Sequence, residues 1–480
     1  MSQIKVTNLT FGYDGSYDNI FENTSFQIDT DWRLGFIGRN GKGKTTFLKL
    51  LMGEYEYKGS ISCSVSFDYF PYETNDEFDT LECLEAAVGE FNDWELITEI
   101  NKLNVDAEVL YRPFKTLSSG ERTKVMLGAL FIKGNNFLLI DEPTNHLDIE
   151  GREVLANYLK SKKSFILVSH DRAFLDKSID HVLSINKNNI EIQKGNYSTW
   201  QYNKELEDRF EEERNEGLKK DIKRLKVAAE RTAKWSDKTE AGKIGSHAAD
   251  RGYVGHMAAK AMKRSKSIER RQKNAISEKE TLLKNIDSAD SLKMNFLEYP
   301  KKNLIFSTGL IVEYGGKRIF QNVDLSVNRG ERIAVKGKNG AGKSSLLKLI
   351  LKEYLPLDLK VSYVCQDTSH LKGSLKEFAA VNGINQTLFM TILRHLGFSR
   401  TQLEKNIEFC SMGQRKKVLL AKSLSEEAHL YVWDEPLNYI DVLSRIQIEE
   451  VLIKYKPTMI FVEHDKVFSE RVATKILTIE

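Results

Sequence analysis

Two glycine-rich segments of this 480-residue chain have the residue types and spacing that bind phosphate. Residues 38–45 read Gly-Arg-Asn-Gly-Lys-Gly-Lys-Thr and residues 337–344 read Gly-Lys-Asn-Gly-Ala-Gly-Lys-Ser, so both fit the pattern G-x-x-x-x-G-K-[ST]. Glycines let the backbone approach a phosphate closely, with its N–H groups facing the anion. Lys44 and Lys343 can reach the β and γ phosphates of a nucleotide, while Thr45 and Ser344 can hold Mg²⁺.

The flanking residues predict a strand before each loop and a helix after it. Short apolar runs at Arg33–Ile37 and Arg332–Lys336 lead into the loops, and helical patterns continue through Leu51 and Leu351. In this context the helix N-terminus also faces the phosphates. The predicted nucleotide contacts from the two loops are Gly38, Asn40, Gly41, Gly43, Lys44, Thr45, Thr46, Gly337, Asn339, Gly340, Gly342, Lys343, Ser344 and Ser345.

Three further motifs occur once in each half, in the same order. Gly120 and Asp141 are 21 positions apart, as are Gly413 and Asp434. The repeating unit is therefore a whole domain rather than a short structural repeat. The paired motifs are Leu117-Ser-Ser-Gly-Glu-Arg122 with Cys410-Ser-Met-Gly-Gln-Arg415, the apolar runs ending in Asp141-Glu142 and Asp434-Glu435, and Ser169-His170-Asp171 with Glu463-His464-Asp465.

Together these motifs resemble the nucleotide-binding domains of the ABC superfamily, and two such domains in one chain without a membrane-spanning run resemble the ABC-F class. The run 141–148, Asp-Glu-Pro-Thr-Asn-His-Leu-Asp, is typical of that class, and the run 255–266 is similar to antibiotic-resistance members of the Lsa or Vga type. The implied fold is α/β, with two tandem ABC-type P-loop domains joined by a long, basic, two-helix linker. The expected boundaries are 1–199, 200–300 with a tip at about 236–255, and 301–480.

The resemblance also implies roles for individual residues, with ATP and Mg²⁺ as cofactors. Asp141 and Asp434 would bind Mg²⁺ with Thr45 and Ser344. Glu142 and Glu435 would polarise the attacking water, and His170 and His464 would contact the γ-phosphate. Tyr13 and Tyr314 match the residue that stacks on adenine, although each could simply pack on its sheet. The remaining implied nucleotide contacts are Gln366 and the signature residues Ser118, Gly120, Glu121, Ser411, Gly413 and Gln414.

ABC domains pair head to tail, so each ATP would lie between one P-loop and the other domain's signature. We call site one the P-loop of the first domain with Ser411 and Gly413, and site two the P-loop of the second domain with Ser118 and Gly120. The usual Gln is replaced in the first domain by the run Tyr69-Phe-Pro-Tyr72, and the second signature contains Met412. Because both departures are expected in site one, we predict that site two hydrolyses ATP faster.

The stretch from Tyr202 to about Ser288 contains no proline and is strongly basic in its middle. Residues 219–273 contain seventeen Lys and Arg against six Asp and Glu, whereas the whole chain has a net charge of +3. Helical patterns over 202–234 and 256–285 flank a glycine-containing tip, which indicates a basic rod that could bind RNA. A charged helix pair that only joins two domains is an equally open reading. The candidate RNA contacts are Lys238, Lys243, Arg251, Lys260, Lys263, Arg264 and Lys266.

The resemblance implies a cytoplasmic ribosome-protection ATPase. It would bind the 70S ribosome at the tRNA exit site, contact 23S rRNA and P-site tRNA, and dislodge lincosamide, streptogramin A or pleuromutilin antibiotics, with hydrolysis driving release. Fused domains predict a monomer without another subunit. The alternatives are a housekeeping ABC-F translation factor, the ATPase part of a drug exporter, and a DNA-maintenance ATPase. Four widely spaced cysteines and the absence of a signal-like N-terminus favour a reducing cytoplasm.

Overall fold

The computed structural model of the chain describes residues 2–13, 19–134, 136–145, 147–185, 190–241, 263, 267–268, 270–271, 292–314 and 317–479. Within these ranges, only the backbone is described at 229–241, 312–314 and 317–322. Residues 1–200 and 289–480 form one compact unit, and residues 201–288 form a second. The first unit contains both phosphate-binding loops. Among the described residues, no helix has the length and apolarity that crossing a membrane requires.

The first half of the chain combines a mostly parallel sheet with a small antiparallel sheet. The larger sheet has the order β5-β6-β7-β3-β8-β9, in which only the last pair is antiparallel, and the smaller has the order β2-β1-β4. The strands are β1 Gln3–Phe11, β2 Phe21–Asp29, β3 Arg33–Ile37, β4 Lys58–Ser62, β5 Ser66–Phe70, β6 Asn136–Asp141, β7 Phe165–Val168, β8 His181–Ile185 and β9 Ile190–Lys194. The helices are α1 Lys44–Leu51, α2 Thr80–Val88, α3 Asp93–Lys102, α4 Ser119–Ile132, α5 Ile149–Lys160, α6 Arg172–Ser178 and α7 Tyr197–Ala241.

The second half repeats this plan with a parallel sheet in the order β13-β14-β15-β12-β16 and an antiparallel pair β10-β11. Its strands are β10 Asn303–Tyr314, β11 Lys317–Asn328, β12 Arg332–Lys336, β13 Val361–Val364, β14 Leu430–Asp434, β15 Met459–Val462 and β16 Lys475–Thr478. Its helices are α8 Lys343–Glu353, α9 Leu375–Val381, α10 Gln386–His395, α11 Arg400–Leu403, α12 Met412–Ser425, α13 Val442–Tyr455 and α14 Lys466–Val472.

The parallel strands explain why the motifs, which have the same spacing in both halves, come together in space. Strands β7 and β15 are buried along their whole length, as expected for central strands covered on both faces. In the first sheet β7 pairs with both β3 and β6, and in the second β15 pairs with both β12 and β14. The carboxyl ends of these strands therefore place each P-loop, Asp-Glu pair and histidine at one edge of the sheet.

The linker begins with a helix that is longer than the sequence pattern predicts. Helix α7 starts five residues before the expected Tyr202 and continues to Ala241 rather than ending at Lys234. Asn196 explains the early start, since its side-chain oxygen accepts a hydrogen bond from the Thr199 backbone N–H at 3.1 Å. The expected tip at 236–255 therefore overlaps the helix over residues 236–241. Within the second predicted helix, at 256–285, only residues 263, 267–268 and 270–271 are described, and these are helical. Most of the predicted tip lies outside the described residues.

Candidate functional site

Each P-loop encloses the ammonium group of its own lysine. Lys44 Nζ donates hydrogen bonds to the carbonyl oxygens of Gly38 at 2.7 Å and Arg39 at 3.3 Å. Lys343 Nζ makes the equivalent bonds to Gly337 at 2.8 Å and Lys338 at 2.9 Å. Burial lowers the pKa of both lysines. The two ammonium groups are thus held at the centre of loops whose geometry suits a polyphosphate.

The last glycine of the first loop has a backbone that favours glycine. Gly43 has a φ of 95°, and a Cβ at this position would lie 2.4 Å from Ile20 Cγ2. The same position in the second loop, Gly342, has a φ of 85°. Both residues directly precede a helix, so the left-handed backbone turns the chain from the phosphate loop into α1 or α8.

One hydroxyl and one carboxylate meet at each site in a manner that suits Mg²⁺. Thr45 Oγ1 donates a hydrogen bond to Asp141 Oδ2 at 2.8 Å, and Ser344 Oγ donates to Asp434 Oδ1 at 3.0 Å. These are hard oxygen ligands, which Mg²⁺ prefers. No group of three or more His, Cys, Asp or Glu side chains in the described part of the chain could hold a metal. The hydroxyl and carboxylate at each site would leave the other positions of an octahedral Mg²⁺ to water and nucleotide phosphates.

The glutamates after these aspartates have an unusual backbone in both domains. Glu142 has a φ of 52° and Glu435 a φ of 47°, a left-handed conformation that non-glycine residues seldom adopt. The neighbouring strand holds each in place, because the Glu142 N–H donates to Val168 O at 2.8 Å and the Glu435 N–H to Val462 O at 3.1 Å. The same strands lead to the histidines. Their Nε2 atoms lie 3.3 Å from Glu142 Oε1 in the first domain and 3.4 Å from Glu435 Oε1 in the second.

The two glutamates differ in their hydrogen bonds. Glu435 Oε2 accepts from Gln366 Nε2 at 2.9 Å and from Asn438 Nδ2 at 2.8 Å. Glu142 Oε1 is buried without a hydrogen-bond partner among the described residues. Burial and then the Asp141 charge raise the pKa of Glu142 to about 8. Burial also acts on Glu435, but its hydrogen bond with His464 and nearby positive charges outweigh that effect and lower its pKa.

The strand register shows which residue of the first domain stands in place of Gln366. Phe70 pairs with Ile140 one residue before Asp141, and Val364 pairs with Trp433 one residue before Asp434. Counting two residues on, Tyr72 occupies the position of Gln366. The Tyr72 hydroxyl donates to Met126 O in α4 at 3.2 Å. This side chain therefore bonds to the signature helix rather than to Glu142.

The signature of the second domain lies against the P-loop of the first. Asn40 Nδ2 donates to the backbone oxygen of Tyr439 at 2.7 Å. A Cβ on Gly413 would lie 3.0 Å from Asn40 Nδ2 and 2.5 Å from Tyr439 O, so a larger residue would separate the two segments. Site one is therefore built from both domains in a head-to-tail arrangement.

Site two surrounds a cavity of about 750 Å³ that both domains also line. The second domain contributes its P-loop with Gln366, Glu435 and His464, and the first contributes Ser119, Asn145 and Leu147. Ser119 belongs to the signature of the first domain and lies between the predicted contacts Ser118 and Gly120. The cavity has room for a nucleotide and presents a lysine, a carboxylate and an amide to it.

Comparison with known families identifies the two domains. A family model described as ABC transporter matches residues 21–145 and 320–438, which together exceed half of the chain and include both phosphate loops. The chain belongs to the ABC transporter family. Its matched regions are ATP-binding domains, and the protein is an ATPase. The prediction of two ABC-type P-loop domains of α/β class is thus confirmed.

Individual relatives of this ABC protein are similar along nearly its whole length. The ribosome protection protein VmlR of Bacillus subtilis (strain 168) is 28% identical over 99% of this chain and 86% of its own length. ABC transporter F family member 2 of Arabidopsis thaliana is 22% identical over 100% of this chain and 76% of its own. The similarity thus extends to ABC-F proteins, while the narrower likeness to the Lsa or Vga type stays a prediction.

A solved structure has the same tandem fold. It is the complex of the archaeal ribosomal stalk protein aP1 with the archaeal ribosome recycling factor aABCE1, and it matches with a TM-score of 0.63. The match covers 98% of this chain and 87% of the matched chain, at 18% identity. At that identity the likeness shows the fold of this ABC protein and no more.

Both signature segments of this ABC protein begin a helix with a reciprocal cap. Ser118 Oγ accepts from the Glu121 N–H at 3.2 Å, and Glu121 Oε2 accepts from the Ser118 N–H at 2.8 Å. Ser411 and Gln414 form the same pair at 3.3 and 3.0 Å. Glu121 and Gln414 therefore fix the starts of α4 and α12. Their contact with nucleotide stays a prediction.

Of the two predicted adenine-stacking residues, the structure describes the side chain of Tyr13 and only the backbone of Tyr314. Tyr13 is 44% exposed, and its hydroxyl forms a 2.8 Å hydrogen bond with Thr46 Oγ1 at the start of α1. Its ring packs edge-on against Phe11 at 5.2 Å and Tyr55 at 5.8 Å. An exposed ring face beside the P-loop helix suits base stacking. Tyr314 ends β10, and its side chain lies outside the described residues.

Met412 corrects one expectation about site asymmetry. Its side chain lines the cavity around Lys343, and its sulfur lies 3.9 Å from Thr368 Oγ1. The expectation that this departure acts in site one alone is therefore wrong. Thr368 belongs to the same domain as Met412, so this signature side chain contacts its own domain.

Two of the candidate RNA contacts are among the described residues. Lys263 is exposed, and Lys238 is part of helix α7, where only the backbone is described. Lys243, Arg251, Lys260, Arg264 and Lys266 lie outside the described residues.

A buried charge cluster between the two domains was not predicted. Arg172 of α6 forms an ion pair with Glu449 of α13 and lies 3.5 Å from Asp465 Oδ2. Arg445 Nη1 donates to the same Asp465 oxygen at 3.0 Å. The pair Arg172–Glu449 spans 277 positions of sequence, so no local pattern could reveal it. An arginine directly after the histidine motif was the one available signal.

Proposed function

We propose that this ATPase is a ribosome protection protein that uses ATP to bind the bacterial ribosome and dislodge antibiotics from the peptidyl-transferase centre. The observation that carries the proposal is the likeness to the ribosome protection protein VmlR, which extends over 99% of the chain. That likeness includes the basic interdomain segment, which the ABC family model leaves unmatched. Seventeen basic residues between 219 and 273 suit a partner made of RNA.

The proposed cycle uses ATP to hold the two domains together. In each site, one P-loop would bind the β and γ phosphates while the other domain's signature helix, with its N-terminus, faces the γ-phosphate. Mg²⁺, held by Thr45 with Asp141 and by Ser344 with Asp434, would neutralise charge on the phosphates. Loss of the γ-phosphate then removes the ligand that both domains share, so hydrolysis would release the closed state.

Within each site, the glutamate would orient and polarise the attacking water. Glu142 and Glu435 each lie beside a histidine whose Nε2 is within 3.4 Å. A buried neutral His170, whose pKa is lowered well below the usual value by burial, can donate a hydrogen bond to the γ-phosphate without adding a second buried charge. In this proposal Glu142, Glu435, His170 and His464 would be the catalytic residues.

The linker would act at the ribosome. We propose that its basic residues contact 23S rRNA and P-site tRNA from the tRNA exit site, so that the tip displaces lincosamide, streptogramin A or pleuromutilin antibiotics. The protein would act in the cytoplasm as a monomer without an obligate subunit. The proposed domains are 1–199 and 301–480, with the linker at 200–300.

Sedimentation with ribosomes tests this proposal. The double variant Glu142→Gln with Glu435→Gln retains side-chain volume and ATP binding but lacks the carboxylates that activate water. With saturating ATP it should co-sediment with 70S particles far more than the wild type does, and ADP should abolish the enrichment. Equal sedimentation in ATP and ADP would refute ATP-dependent ribosome binding.

A housekeeping translation factor is the second candidate, because the chain is also similar along its whole length to an ABC transporter F protein of Arabidopsis thaliana. Expression in a susceptible bacterium separates the two. Protection predicts a higher inhibitory concentration for the three drug classes with unchanged intracellular drug, and a Lys44→Ala, Lys343→Ala control should give none. Ribosome binding without resistance would favour the housekeeping role, and lower drug accumulation would favour export.

A further inference from the structure

One buried lysine near site two has no role in the chemistry described above. Lys416 lies in the second turn of the signature helix α12 and is 3% exposed. Its Nζ donates to the backbone oxygen of Cys365 at 3.1 Å and to that of Glu435 at 3.2 Å. A charged donor on two carbonyls in a buried setting is a strong constraint on both segments.

The two carbonyls belong to the segments that present the catalytic groups of site two. Cys365 directly precedes Gln366, and Gln366 Nε2 donates to Glu435 Oε2 at 2.9 Å. Lys416 also lines the cavity that contains Lys343. One ammonium group therefore ties together the amide and the carboxylate that face the position of the attacking water.

A buried carboxylate balances this cation and supports the same loop. Glu463 is 5% exposed, and its Oε1 accepts from the Leu437 N–H at 2.7 Å, two residues after Glu435. Burial lowers the pKa of Lys416, and Glu463 opposes that shift more than any other group. Arg445 is the principal cation facing Glu463 itself. The buried charges of Lys416, Glu463 and Arg445 thus offset one another within the second domain.

The first domain has neither the lysine nor the glutamate at the corresponding positions. Thr123 occupies the place of Lys416, three residues after the signature glycine, and its hydroxyl donates to Ser119 O in its own helix at 3.0 Å. Ser169 stands in place of Glu463 and forms a 3.1 Å hydrogen bond with Thr144. The lysine link is therefore a property of the second domain.

Helix α12 connects Lys416 with site one. Gly413, three residues before Lys416, lies against Asn40 of site one. One turn of helix separates the segment that lies against site one from the ammonium group that holds the Glu435 backbone in site two. A displacement of the start of α12 would therefore also move Lys416.

We propose that Lys416 is a positioning residue that aligns Gln366 and Glu435, and that through α12 it makes hydrolysis at site two depend on nucleotide in site one. The proposal extends the ATPase chemistry and is independent of the proposed ribosome role, since it can be tested with purified protein and ATP alone.

Steady-state ATPase measurements on Lys416→Met test the positioning role. This change keeps an unbranched side chain that is one atom shorter, and it removes the charge and donors. We expect kcat to fall at least about tenfold while KM for ATP changes less than about threefold, because alignment rather than binding is lost. Thr123→Val, the matched change in the first domain, should leave kcat within about twofold. Wild-type kcat in Lys416→Met, or equal losses in both variants, would overturn the proposal.

A double-mutant cycle tests the connection between sites. Lys44→Ala weakens nucleotide binding in site one and should lower the turnover at site two. If Lys416 carries that dependence, Lys44→Ala combined with Lys416→Met should be no slower than the slower single variant. Multiplied losses would show that Lys416 acts in site two alone and would overturn the coupling. Should Lys416→Met unfold, Lys416→Gln, which retains one donor group, takes its place in both measurements with the same outcomes.

Discussion

At the scale of single residues, Glu142 and Glu435 have the same backbone conformation and different surroundings. Glu435 is hydrogen-bonded by two amides, while Glu142 Oε1 has no such bond among the described residues. We expect Glu435→Gln to lower the steady-state ATPase rate of the purified protein several-fold more than Glu142→Gln does, because site two holds the better-aligned carboxylate. Equal losses in the two single variants would show that the sites turn over at similar rates.

The protonation of the same residues predicts a difference in pH dependence. With a pKa raised to about 8, Glu142 is mostly protonated at pH 7 and becomes a carboxylate above pH 8. Glu435, whose pKa is lowered, is ionised throughout that range. In Glu435→Gln, where site one remains, ATPase activity should rise several-fold between pH 7 and pH 9. In Glu142→Gln it should stay nearly flat, and a flat profile in both variants would contradict this view of Glu142.

At the scale of secondary-structure elements, the signature helices depend on their capping boxes. Losing a serine cap typically costs about 0.5–2 kcal/mol. Ser374 forms a similar box at the start of α9, away from the lining of the site-two cavity, and provides a matched control. We expect Ser118→Ala and Ser374→Ala to lower the free energy of unfolding by similar amounts in denaturant titrations.

Only the first of these substitutions should also affect catalysis, because α4 begins beside Ser119 in the site-two cavity. Ser118→Ala should lower the ATPase rate about threefold or more, with Ser374→Ala close to wild type. An equal effect on activity would mean that the cap contributes stability alone.

At the scale of the whole molecule, buried charges join the two domains. Arg172 is 4% exposed and Glu449 fully buried, with Arg471 Nη1 a second donor to Glu449 at 2.7 Å. Removing one partner of a buried pair typically costs about 3–5 kcal/mol, because the other charge stays buried. Arg172→Ala should therefore be strongly destabilised in chemical unfolding.

Removing the second charge should relieve part of that loss. Adding Glu449→Gln to Arg172→Ala replaces the buried carboxylate with a neutral amide, so the double variant should be more stable than Arg172→Ala alone. Additive destabilisation by the two substitutions would indicate that Arg172 and Glu449 contribute independently.

Sequence patterns alone determined the repeat, the α/β class and the identity of the loop, carboxylate and histidine motifs. These features depend on local spacing: a phosphate loop needs its glycines, its lysine and the flanking strand and helix within a few residues of one another. The helix in the first part of the linker followed from composition, but its start did not, because Asn196 caps the helix earlier than the apolar pattern indicates.

The tertiary structure decided which groups share a site and how each is charged. Tyr72 and Gln366 occupy equivalent positions, and only the structure shows that the Tyr72 hydroxyl bonds to Met126 O while the Gln366 amide bonds to Glu435. Met412 lines the site-two cavity as well, because a side chain's direction depends on the helix that carries it. Arg172 with Glu449, and Lys416 with the carbonyls it holds, are contacts between distant segments, which the order of residues along a chain does not encode locally.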